Sequence, residues 1–378
     1  MHGSDPSPRL TRLRLTRFRS YAAAEVRLTG RLVLFAGANG VGKTNLLEAI
    51  SLLAPGRGLR GARMSEVAMR GASSWAVSGR FEDAAGPFEV GTGTLDGAAG
   101  ERRAFRLDGE KLPTQAELAE RLPVVWLTPQ QDRLFSEPAS ARRRFLDRLV
   151  LAYEPRHARE VGAYERAMAH RNRLLAEGAP DPAWLAALEE EMATHGIAAA
   201  AARRALVARL DGALAQGVAG AFPAARLALE CPAAVLLDRM PALEAEDALR
   251  RAWRDGRRRD AAAGATLSGP HRMELGFTHA EKEIPAALCS TGEQKALLVS
   301  TVLAHAGLIA AARGLAPLLL LDEAGAHLDA ARRAALAAAL LALPAQAFLT
   351  ATEAGAFGAA EIERFAVESG EIRPLAPG

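Results

Sequence analysis

Lysine is almost missing from this chain. Only four of its 47 basic residues are lysine, Lys43, Lys111, Lys282 and Lys295, and the rest are arginine. With alanine also abundant, this reads as a coding bias that depletes lysine, and two of the four survivors fall in the motifs below. Cysteine is scarce too: Cys231 and Cys289 alone give no disulfide framework. No strong excess of one charge is present. The net charge of +3 is mildly basic, which admits an acidic partner without demanding one. Long apolar runs are lacking. The longest purely aliphatic stretch, Ala334 to Leu343, is far too short to span a bilayer. The opening "MHGSDPSPRLTRLRL" lacks the apolar core of a signal peptide. From these absences we expect a soluble, cytoplasmic protein with no membrane association. What the chain does have is apolar residues, 49% of 378, enough for a sizeable core and for one large domain or two ordinary ones.

The texture changes twice along the chain. "LTRLRLTRF" (10–18) alternates apolar and basic residues as a strand does. "RLVLFAG" (31–37) is a short buried-strand run, followed by a glycine-rich loop and then by helical spacing through Leu46, Leu47, Ile50 and Leu53. Short β-like runs fill 72–127. From about 139 the sequence reads as long helix, with Pro155 able to interrupt it. "GAPDP" (178–182) is a turn, and a second long helix follows, giving an αα-hairpin. From about 264 the β/α texture returns in "HRMELGFT", "PLLLLDE" and "AQAFLTAT". The layout expected is one α/β domain from both ends of the chain, 1–128 and 264–378, with a helical domain at 129–263 inserted between.

Three motifs carry chemistry. Gly37-Ala38-Asn39-Gly40-Val41-Gly42-Lys43-Thr44 fits the phosphate-loop pattern without a mismatch. Its glycines let backbone N–H groups turn toward a β-phosphate, and the following helix presents its positive end to the same anion. Lys43 would reach the β- and γ-phosphates, and Thr44 would offer a hydroxyl to Mg²⁺. A glycine-rich turn with an incidental lysine is the plain alternative, and the flanking strand and helix weigh against it. "LLLLDE" (318–323) is an apolar run ending in two carboxylates, with Asp322 suited to the metal and Glu323 to the attacking water. In "CSTGEQKALL" (289–298), Ser290 opens a helix whose start is a second anion site. The same residues also read as an ordinary cap, with Ser290 or Thr291 capping and Glu293 as the boxed acid, and the two readings are compatible.

Together, the Lys43 loop, "STGEQK", "LLLLDEAGAHLD" and the helical insert resemble an ATP-binding-cassette head of the chromosome-maintenance and repair type. Within that group the chain is most similar to the RecF family. "FRSY" (18–21), "GANGVGKTNLLEAISLL", "GRGLRG", "TPQQ", "RRRFLD" (142–147) and "GPHR" (269–272) occur in order, and the resemblance covers roughly 10–352. It implies an α/β ATPase head with a P-loop sheet core, plus an inserted helical arm. It further implies that Gly37 to Thr44 hold ATP phosphates, and that Gln130 or Gln131 joins the metal to the insert. Ser290 and Gly292 would cap the γ-phosphate of a second subunit, and Asp329 would contact the partner head. Two departures stand out. Met273 and Glu274 follow "GPHR" where the family often has two aspartates, and the late switch histidine is replaced by Thr350 or Thr352 in "FLTATE". Glu293 adds a negative charge beside an anion site, which would suit a side chain turned away.

The resemblance implies an ATP-driven homodimer, closed head to tail on two nucleotides, that binds duplex or single-strand/double-strand junction DNA. It implies slow, DNA-stimulated hydrolysis that times release, and partners equivalent to RecO and RecR in loading recombinase at gaps. Two arginine clusters, "ARRRFLDR" (141–148) and "RRAWRDGRRRD" (250–260), are dense enough to meet phosphates. Arg142, Arg143 and Arg144 also carry the family pattern, and could equally form an ion-pair belt at the base of the hairpin. The ATPase subunit of a membrane transporter would share the Lys43 loop and the carboxylates. It would also carry a switch histidine and a shorter helical insert, and would lack "GPHR".

Overall fold

The computed structural model describes residues 7–94, 103–112, 114–178, 181–217, 220–358 and 361–376. The chain divides into two compact units: 1–133, 216–224 and 289–378 form the first, and 134–215 with 225–288 form the second.

The first unit contains two six-stranded sheets. One is antiparallel, built on the Arg9–Phe18 strand. Leu10, Leu13, Leu15 and Phe18 of this strand are buried. The three-residue step from Leu10 to Leu13 keeps one face because a bulge between Leu10 and Arg12 absorbs the extra residue. The other sheet runs in the order Glu371–Pro374, Glu363–Glu368, Leu32–Ala36, Ala347–Ala351, Leu318–Leu321 and Val124–Leu127. All but the Glu371–Pro374 edge pair in parallel. Leu32–Ala36 and Leu318–Leu321 are buried throughout, as parallel strands covered on both faces must be. The Ala347–Ala351 strand therefore lies between the strand that feeds the Lys43 loop and the strand that ends in Asp322. The Lys43–Leu53 helix buries Leu46, Leu47, Ile50 and Leu53, the residues its spacing marked. By length and composition the Thr291–Arg313 helix could cross a membrane, but 72% of its apolar window is buried inside the fold.

The second unit is mainly helical. The expected long first arm is two helices, Ala139–Tyr153 and His157–Ala176, separated at Pro155, which cannot supply the N–H that continuity needs. The second arm, Pro182–Ala215, has 34 residues, about 50 Å at the usual helical rise. Ala179 and Pro180 of the expected turn lie outside the described residues. The helices are tied internally by Arg171, which is fully buried. It donates to Glu189 (3.0 Å), Asp260 (2.8 Å), Thr266 (2.9 Å) and the Trp253 carbonyl (2.9 Å). Burying a guanidinium is costly unless its donors are met by such partners.

The expected boundaries move: 129–133 and 216–224, anticipated in the insert, belong to the first unit. Residues 264–288, anticipated in the ATPase domain, belong to the helical unit. Glu274–His279 pairs antiparallel with Ala225–Glu230 and with Ile284–Pro285 in a three-stranded sheet of that unit. This pairing joins strands far apart in sequence, so local β texture alone pointed to the wrong sheet.

Candidate nucleotide site

The Lys43 loop spans the carboxyl end of Leu32–Ala36 and the start of Lys43–Leu53. A Cβ at Gly37 would fall 2.3 Å from the Val367 carbonyl oxygen. At Gly42 φ is +112°, and a Cβ would lie 2.8 Å from Ser20 Oγ and 2.9 Å from the Tyr21 hydroxyl. Only glycine fits either place. The "FRSY" turn thus forms the wall of the loop: Tyr21, buried, donates to the Gly42 carbonyl at 3.1 Å, and Asn45 donates to Ser20 at 2.9 Å. Arg19 from the same turn and Arg60 from "GRGLRG" both pair with the buried carboxylate of Glu48 on the loop helix. These two motifs brace the loop, a role their sequences did not disclose. Ala38, Asn39 and Gly40 form the exposed crest and Val41 is half-buried.

Lys43 is buried, and its Nζ donates to the Gly37 and Ala38 carbonyls at 2.8 Å each. Burial lowers its pKa, while the carboxylates of Glu323 and Asp322 pull the other way. A partly desolvated ammonium is a strong partner for a phosphate oxygen, while the two acids beside it favour a cation. The single hydroxyl proton of Thr44 is shared between the two oxygens of Asp322, each 3.0 Å away, and Asp322 is only 3% exposed. A hydroxyl against a buried carboxylate is an oxygen donor set that suits a hard cation such as Mg²⁺. Glu323 follows in a left-handed conformation, φ +49°. Of the two residues offered in place of a switch histidine, Thr350 is buried against Asp322 and Thr352 is exposed.

The two glutamines separate. Gln131 is buried and its side-chain oxygen accepts from the Thr128 N–H at 2.8 Å, whereas Gln130 is exposed. The next residue, Asp132, takes the Nζ of Lys295 at 2.7 Å, and Lys295 is 1% exposed. The glutamine turn is thereby fastened to the helix that starts at Ser290.

Ser290 is the N-cap of Thr291–Arg313 in a complete capping box. Its hydroxyl and its N–H both donate to Glu293 Oε2 at 2.9 Å. Glu293 therefore turns toward Ser290 and not away from it, drawn by the unsatisfied N–H groups and positive end of the helix. A Cβ at Gly292 would lie 3.4 Å from the His327 carbonyl oxygen. Asp329 is exposed and caps Ala330–Ala342 by accepting from the Arg332 N–H at 2.7 Å.

In the helical unit the three expected DNA contacts divide. Arg142 pairs with Glu274 and also donates to the Glu137 carbonyl at 2.6 Å, so it is a structural tie. This is the ion-pair alternative for Arg142, and it gives Glu274 a partner. Arg143 donates to the Met273 carbonyl at 3.0 Å, and Arg144 is exposed. Both line a cleft of about 310 Å³ with Ser140, Arg203, Tyr164 and His271. His271 of "GPHR" meets the Tyr164 hydroxyl at 2.5 Å and the Thr266 carbonyl at 2.9 Å. In the second arginine cluster, Arg257 pairs with Glu189 and Arg250 with Asp247, while Arg251, Arg254, Arg258 and Arg259 are exposed.

Residues 9–369 match the RecF/RecN/SMC N-terminal domain family. The DNA replication and repair protein RecF of Mesorhizobium japonicum is 47% identical over 97% of both chains. That of Agrobacterium fabrum is 50% identical over 93% of this chain and 94% of its own. Among solved structures, the recombination mediator protein RecF with ATP in the RecFOR pathway superposes with a TM-score of 0.86 at 22% identity, covering all of both chains. An SMC head bound to the C-terminal winged-helix domain of ScpA gives 0.56 at 16% identity, covering 97% of this chain and 96% of that one. The fold is that of an ATP-binding-cassette head with a helical arm.

Proposed function

This chain belongs to the RecF/RecN/SMC N-terminal domain family and, within it, to the RecF proteins, and from that membership we propose an ATP-driven clamp on DNA acting in recombinational repair and at replication forks. The membership leaves the transporter reading without support. ATP binds at Gly37 to Thr44 with Lys43 on the β- and γ-phosphates. Thr44 and Asp322 would hold Mg²⁺, which would supply positive charge to offset that of the phosphates. Glu323 orients the attacking water. Gln130, the exposed member of its pair, is the one free to reach toward the metal. Ser290 and Gly292 cap the γ-phosphate bound by a second copy, so that two heads close head to tail about a two-fold axis. Asp329 contacts the partner head. Hydrolysis is slow and opens the clamp, and proteins equivalent to RecO and RecR act with it to load recombinase at gaps.

The observation that carries this reading is the convergence of Lys43, Thr44, Asp322 and Glu323 at the carboxyl ends of parallel strands, the usual ligand position in such sheets. DNA is assigned to the Arg143–Arg144 cleft of the helical unit: of the two acids that also line it, Asp147 is held by Arg203, and Arg144 stands exposed. The test is DNA affinity with and without ATP across duplex, gapped and single-stranded substrates at several salt concentrations. ATP is expected to tighten binding to substrates that contain duplex. Arg144→Ala is expected to weaken binding alike for all sequences and to lower the salt slope by about one. Arg142→Ala should instead lower stability, by about 1 kcal/mol, because Glu274 loses its partner. Equal DNA affinity with and without ATP would remove the clamp.

A further inference from the structure

Thr350 stands at the tip of the strand that lies between the Lys43-loop strand and the Asp322 strand. It is 1% exposed. Its hydroxyl donates its single proton to Asp322 Oδ1 at 2.8 Å and accepts the N–H of Glu323 at 2.8 Å. One hydroxyl thus joins both acids, through the side chain of the first and the backbone of the second. Glu323 adopts φ +49°, a conformation that a non-glycine residue holds only when its surroundings over-determine it. The bond from its N–H to Thr350 supplies that constraint. Asp322 Oδ1 also receives Thr44, so two hydroxyls converge on one carboxylate oxygen.

We propose that Thr350 is a positioning residue for the hydrolytic centre: it fixes the rotamer of the metal-binding Asp322 and the turn that aims Glu323 at the nucleotide. The exposed Thr352 makes neither bond. This role rests on the ATPase reading above. It differs from that of a switch residue that touches the γ-phosphate, because Thr350 acts only through the two acids. Partners that orient a metal ligand typically alter metal affinity or activity 10- to 100-fold when removed.

The test compares Thr350→Val, which keeps the volume and deletes the hydroxyl, with Thr350→Ser, which keeps the hydroxyl. ATP binding is titrated with Mg²⁺ by calorimetry, turnover is measured, and exchange of the Glu323 amide is followed. Thr350→Val is expected to require roughly 10-fold more Mg²⁺ for half-maximal ATP binding, to lose 10- to 100-fold in turnover and to exchange the Glu323 amide faster. Thr350→Ser is expected to restore all three to within a few-fold. If Val fails to fold by thermal melting, Thr350→Ala carries the same comparison. A Val or Ala variant with Mg²⁺ dependence and turnover within twofold of the parent overturns the proposal while leaving the ATPase reading intact. A parent protein that binds no ATP at any Mg²⁺ concentration would overturn that reading and this proposal with it.

Discussion

The Lys43 loop and the Ser290 turn are both anion seats at the start of a helix, and they are completed in different ways. The loop is walled by its own chain. Ser20 and Tyr21 stand where a Gly42 side chain would go, and Lys43 is buried across the loop with its charge facing two acids. The turn is exposed, and its hydroxyl is occupied by Glu293 three residues on. A seat that is finished within one chain can bind its anion alone. A seat closed by its own carboxylate must release it before a phosphate can enter. On the clamp reading the first binds ATP in the monomer, and the second engages only when a partner's γ-phosphate displaces Glu293.

The largest expected effect lies on the loop. Lys43→Met removes the ammonium and should abolish tight ATP binding, and with it ATP-dependent dimerisation, stable DNA binding and all turnover. Calorimetry that finds parental affinity would take Lys43 out of this role and erase the contrast between the two seats. Next in size is Glu323→Gln. It leaves Asp322 and Thr44 in place and removes the water-orienting carboxylate, so hydrolysis should drop about 100-fold or more while ATP still binds. Light scattering should then show a long-lived ATP-bound dimer, and parental turnover would disqualify Glu323. The smallest effect sharpens the other side. Glu293→Gln keeps an acceptor for the Ser290 cap and deletes the charge, so stability should change by under about 1 kcal/mol. The ATP-dependent dimer should become several-fold tighter, because no anion is left to repel the γ-phosphate. An unchanged dimer constant would mean that Glu293 does not compete.

The same contrast explains what could be read from the sequence. The Lys43 loop and "LLLLDE" were legible because their chemistry is contiguous: glycine permissiveness, one ammonium and a buried strand tip sit within a few residues. The capping box at Ser290 was legible for the same reason, but the direction of Glu293 was set by the helix end and not by its sign. What depended on distant partners was not legible. Arg142 looks like its neighbours Arg143 and Arg144 until Glu274, far along the chain, claims it. The strand 274–279 looked like part of the ATPase sheet until its pairing with 225–230 was seen. "FRSY" and "GRGLRG" carried a family resemblance without a mechanism, and the mechanism is Glu48, which both arginines share. Thr350 and Thr352 were equivalent on paper, and strand order separates them.

The shared site is tested most directly by mixing two defective chains. Ser290→Arg should leave ATP binding by the monomer nearly intact while blocking dimer closure and hydrolysis. Mixed with Lys43→Met chains, it can form one composite site with a sound Lys43 and a sound Ser290, and one site with both defects. Turnover of the mixture is predicted to recover, to at most about half of the parental rate by symmetry, although neither variant turns over alone. Loss of ATP binding by Ser290→Arg alone, or parental hydrolysis by its monomer, would contradict a nucleotide held between two chains.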